Sequence, residues 1–126
     1  DSLPGVMWHL RDAWQRRDEP NVLLVHYDDL LADLDAEMRR IAGWLGIEES
    51  AGRWPSLVEA ATFTSMRQRA DELIPSSGGV LKDSRAFFRE GRSRTGRDLL
   101  GDVDRDRYDR LTSRLAPPDM LDWLHR

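Results

Sequence analysis

Cysteine is absent from the chain, which excludes a disulfide framework and any thiolate metal site. Lysine is almost absent too: Lys82 stands alone among 19 basic residues, a bias of the kind genomic base composition produces. No apolar run approaches the roughly 20 residues that span a bilayer, and no secretory leader is visible. A soluble, reducing, cytoplasmic setting is therefore expected. His9, His26 and His125 lie far apart, and none falls in the paired spacing of a zinc site; no metal is expected. The net charge of −4 argues against nucleic acid as a partner, because that role needs an extended positive face.

What the chain does have is enough apolar material for a core. Its 126 residues are 40% apolar and 33% charged, the composition of about one domain or part of one. Leu3 to Arg17 predicts a helix, with Ser2 as N-cap, Pro4 in the first turn and Leu3, Val6, Met7, Leu10 and Trp14 at helical spacing. Leu34 to Leu45 predicts another, started by Asp33 and stopped by Gly46, with Ile47 as the capping hydrophobe. Trp54-Pro55 opens a third that breaks around Thr62 and Phe63 and resumes from Ser65 to about Leu73. Pro75 to Gly79 reads as a turn or lid. Val103 to Leu115 and Met120 to His125 complete the helices. The five tryptophans sit at apolar helix positions or turns and read as core anchors.

Val22 to Tyr27, VLLVHY, is different. An uninterrupted apolar run of this length predicts a strand covered on both faces. Ligand residues of open α/β sheets gather past the carboxyl ends of such strands, here His26, Tyr27, Asp28 and Asp29. Of these, Asp29 reads as an N-cap of the following turn and His26 as a strand residue with a satisfied ring. No second strand is apparent, and one strand cannot satisfy its own backbone. Residues 1–126 thus read as a single partial domain, mostly helical with one buried strand, the trailing half of a three-layer α/β fold. The open edges of that strand predict self-association.

Positive charge is concentrated in Lys82 to Arg97, KDSRAFFREGRSRTGR, where six basic residues face two acidic ones. Phe87 and Phe88 supply an anchor, Gly91 permits close backbone approach, and the arginines offer planar forks for phosphate or sulfate.

In three places, in order along the chain, the residues resemble the sulfotransferases that use 3′-phosphoadenosine 5′-phosphosulfate. Asn21 to Ile47 resembles that family's strand, "Y-E/D-D-L" turn and helix. Phe63-Thr64-Ser65-Met66 resembles its "S-F-x-x-M" element, and Phe87-Phe88-Arg89-Glu90-Gly91 its "F-x-R-K-G" loop. The resemblance implies a P-loop-like three-layer fold, of which this chain is the carboxyl-terminal portion. It implies a sulfuryl transfer from the phosphosulfate to an acceptor hydroxyl or amine on a small molecule or lipid. It implies, further, that Arg89 and the backbone around Gly91 clamp the 3′-phosphate, that Tyr27 reaches the adenine, and that Phe63 stacks on it with Thr62 alongside.

Three positions depart from the family pattern. Glu90 replaces the usual Lys in the clamp, Gly96 falls where Trp is common, and Ala61 falls where many members have Thr. Arg92, Arg94 and Arg97 are expected to restore the positive charge. The family's phosphosulfate loop and its catalytic Lys and His belong to the leading half, so the resemblance assigns no catalytic residue here and implies an inactive chain by itself. Two other readings of the residues remain: a small helical module that binds an acidic partner through the Arg-rich loop, and a degenerate, inactive remnant.

Overall fold

The computed structural model describes residues 2–74, 88, 91–93 and 99–126. Among them are α1 (Leu3–Gln15), α2 (Tyr27–Ala32), α3 (Leu34–Leu45), α4 (Trp54–Ala60), α5 (Phe63–Gln68), α6 (Ala70–Leu73), α7 (Asp102–Leu115) and α8 (Pro118–His125). They divide into two compact units, Asp1–His26 with Arg94–Arg126, and Tyr27–Ser93.

The first unit is built on α1, α7 and α8. Met7, Trp14 and Met120 form its buried centre, with Leu10, Leu24, Leu115 and Trp123 packed against them. The spacing from Met7 to Trp14 puts both side chains on one stripe of α1. Trp14 is the hub. Its Nε1–H donates to the Asp119 carboxylate at 3.1 Å, the Arg17 guanidinium lies 4.5 Å from its ring, and Trp123 packs at 5.5 Å. Ser2 takes the N-cap position, but its side chain makes no capping bond. Within α7, the buried Thr112 returns its hydroxyl to the Tyr108 carbonyl at 3.0 Å. Tyr108 Oη lies 3.0 Å from His125 Nε2, which ties α7 to α8.

The second unit carries the same kind of knot. Asp35 of α3 accepts hydrogen bonds from Arg39 Nε at 2.9 Å and from the Trp54 indole N–H, while the Arg39 guanidinium lies over the Trp54 ring at 4.7 Å. Those bonds, Arg39's first and Trp54's second, lower the Asp35 pKa below its ordinary value. The bounds of α3 are those its sequence predicts. The Asp33 side chain accepts from the Ala36 N–H at 3.0 Å, and Gly46 closes the helix at φ 68° with the Ile47 N–H returning to the Ala42 carbonyl at 2.8 Å. That is the pairing of a left-handed glycine terminus.

The expected α/β architecture with a buried strand is corrected. No strand occurs among the described residues. Residues 22–26 are irregular, and Tyr27, expected at a strand end, is the first residue of α2. The physical reason is the one the sequence already contains: a strand needs a partner ladder, and helices cover this segment instead. Leu24 joins the Met7–Trp14–Met120 cluster. His26 is buried, its Nε2 3.3 Å from the Leu124 carbonyl and its ring edge-on to Trp123 at 5.1 Å. His26 is satisfied, as expected, but not as a strand residue. Asp29 lies within the first turn of α2, not ahead of a turn as its cap. Two of the tryptophans are not core anchors: Trp8 is 66% and Trp44 42% exposed. The stretch 75–79 lies outside the described residues.

Met120 is fully buried, so Met120→Ala should cost about 2–5 kcal/mol in the first unit, read as a lowered midpoint in urea. Burial first, then the Asp109 carboxylate, raise the Tyr108 pKa above its ordinary value. A raised folded value contributes stability that is complete below the unfolded pKa and is lost as pH rises through the folded one. Stability should therefore fall as pH climbs past about 10, and Tyr108→Phe should flatten that fall in unfolding curves taken across the range.

Candidate functional site

The site is built around the break between α4 and α5. Thr62 makes that break. Its backbone is extended (φ −64°, ψ 148°), its Oγ1 accepts from the Ser65 N–H at 3.2 Å, and its hydroxyl donates to the Glu59 carbonyl at 2.8 Å. A capping threonine of this kind satisfies an N–H that the helix itself leaves open. It also delivers Phe63, half-buried, as the first residue of α5.

Two residues from far along the chain meet the Phe63 ring. Phe88 stands edge-on to it, with centroids 6.1 Å apart and planes at 78°, an arrangement the ring quadrupoles favour. Gly91 lies closer. A Cβ placed on it would sit 2.5, 2.6 and 2.8 Å from Phe63 Cγ, Cδ1 and Cδ2. Near-equal distances to three adjacent ring atoms put that point over the ring face, where no side chain fits. The backbone there is left-handed as well, with φ at 60°, a conformation natural to glycine. Glycine is required at this position twice over.

Of the six residues that the sequence nominates, the structure gathers Thr62, Phe63 and Gly91, and it adds Phe88. Tyr27 is 48% exposed at the start of α2, and no hydrogen bond or ring contact joins it to Phe63 or Gly91 among the described residues. Arg89 and Glu90 lie outside the described residues, as do Arg94, Gly96 and Arg97. Sequence reasoning missed a second feature. Thr64, Arg67 and Gln68 line a groove of about 440 Å³ together with Phe63. The signal was present, since Phe63 and Arg67 are four residues apart and so share a helix face, but nothing else in the sequence singles the arginine out. Among the described residues no group of three or more His, Asp or Glu side chains is placed to hold a metal ion, and no helix is long and apolar enough to cross a membrane.

The described geometry is an aromatic shelf with a capping hydroxyl and a side-chain-free stretch of backbone against it. The sulfotransferase domain family model matches residues 2–118, and the chain belongs to that family. It is similar to glycolipid sulfotransferases of Mycobacterium bovis (strain BCG) and Mycobacterium tuberculosis (strain H37Rv), each 38% identical over 125 residues, or 98% of this chain and 38% of the relative. It is also similar to a luciferin sulfotransferase of Photinus pyralis, 28% identical over 103 residues, covering 71% of this chain and 26% of that protein. The chain spans about two-fifths of the length of the mycobacterial relatives. No solved structure matches it.

Gly91→Ala should push the Phe63 ring from its place, because both the left-handed backbone and the missing space oppose a methyl group. The expected result is displaced Phe63 and Phe88 ring resonances in aromatic NMR spectra, with the Met7–Trp14–Met120 methyl and indole signals unchanged.

Proposed function

We propose that this chain is the nucleotide-clamping portion of a sulfotransferase whose donor is 3′-phosphoadenosine 5′-phosphosulfate. Phe63 carries the adenine, with Thr62 beside it and Tyr27 reaching toward it. Arg89 and the main chain of Gly91 hold the 3′-phosphate, with Glu90 tempering the charge of that clamp. In the reaction the bond from sulfur to the 5′-phosphate oxygen breaks as an acceptor oxygen bonds to sulfur. The acceptor's proton passes to a base, and adenosine 3′,5′-bisphosphate is released. The mycobacterial relatives carry the name glycolipid sulfotransferase, so a glycolipid hydroxyl is the acceptor proposed first.

The observation that carries this reading is the contact of Phe63 with Gly91. It joins the two elements, "S-F-x-x-M" and "F-x-R-K-G", that share one nucleotide in the proposed site. A purine uses an aromatic face, and a phosphate uses an Arg fork with nearby backbone N–H groups.

Titration calorimetry with adenosine 3′,5′-bisphosphate should show binding that Arg89→Ala weakens roughly tenfold or more. Binding of inorganic sulfate as tight as that of the nucleotide would overturn the assignment in favour of a general anion site.

A further inference from the structure

The groove on α5 has a use that Thr62, Phe63 and Gly91 do not exhaust. Its volume of about 440 Å³ falls in the range of small-ligand sites, about 300–1,000 Å³. Helical geometry sets Phe63 one turn from Arg67, and Thr64 one turn from Gln68, in two adjacent rows. Gly91 covers one face of the Phe63 ring, so a base stacked on that ring must use the remaining surface, and Phe63 is a wall of the groove.

Two of the neighbouring carboxylates are engaged elsewhere. Glu59 accepts from the Ser65 hydroxyl at 3.2 Å, and Glu72 pairs with Arg69 at 3.0 Å. Arg67 forms no ion pair among the described residues, and its side chain is exposed. A guanidinium with no ion pair among the described residues, one turn from an aromatic ring and in a groove with a hydroxyl and an amide, has the donor pattern of a nucleotide site: a flat base on the ring, a phosphate on the fork.

We propose that Arg67 binds a phosphate of the nucleotide whose base rests on Phe63, with Thr64 and Gln68 supplying polar contacts within the same groove. This rests on the nucleotide reading above and adds to it a second cationic contact, on a helix and separate from the Arg-rich loop.

The test follows ¹H–¹⁵N spectra of the chain during titration with adenosine 3′,5′-bisphosphate and, separately, with adenosine. Arg67→Ala should weaken bisphosphate binding about tenfold and leave adenosine binding unchanged, while Arg67→Lys should retain part of the affinity because it keeps charge but loses the fork. An exposed position tolerates both changes without unfolding. Equal losses for both ligands would mean that Arg67 only shapes the helix, and would overturn the proposal. So would a wild-type affinity for bisphosphate in Arg67→Ala, which leaves the nucleotide reading standing. A wild-type chain that binds neither ligand would overturn the nucleotide reading and this proposal together.

Discussion

Both units of this chain depend on one local device: an indole whose N–H donates to a carboxylate while a guanidinium lies over its ring. Trp14 is held in this way by Asp119 and Arg17, and Trp54 by Asp35 and Arg39. The physics is the same in each. A large apolar ring leaves water, its polar edge keeps a partner, and the cation gains from the negative ring face. In the first unit the carboxylate is on α8 and the indole on α1; in the second they come from α3 and α4. Each trio therefore fixes one helix against another, and a chain with a third of its residues charged uses some of those charges to organise its apolar residues.

Against that scaffold the candidate site is a small arrangement with strict geometry. Thr62 ends one helix and starts the next, which aims Phe63. Gly91 then accepts the ring because it has nothing to put in the way. The contact joins elements far apart in a chain that belongs to the sulfotransferase domain family. The groove along Arg67 shows that the same short helix offers polar groups on the surface that the Gly91 contact leaves open.

Much of this was legible in the residues, and the pattern of success has a physical basis. The bounds of α3 could be read because periodicity, an Asp cap and a Gly stop all point the same way, each acting through local geometry. The break at Thr62 was legible for similar reasons, although the helix restarts at Phe63 rather than Ser65 and breaks again at Arg69; Gly91 suggested close backbone approach to an anion, whereas its described contact is with the Phe63 ring. The run from Val22 to Tyr27 was misread because a continuous apolar stretch fits a buried strand and a helix-covered segment equally, and only partners elsewhere in the chain decide between them. Trp8 and Trp44 fall at apolar helix positions or turns, which suggests core, yet burial depends on what lies opposite. Arg67 went unnoticed because an arginine on a short helix has no signature of its own. Its meaning comes from Phe63 one turn away and from a groove that only three dimensions reveal.

The uneven exposure of the tryptophans has a spectroscopic consequence. The first unit has a sheltered indole in Trp14 and an exposed one in Trp8; the second has Trp54 and Trp44 in the same relation. Ultraviolet-excited emission is then a composite of a red, water-facing component and a blue, enclosed one. A soluble quencher such as iodide will strip the red component first, and the light that survives reports on the two interiors.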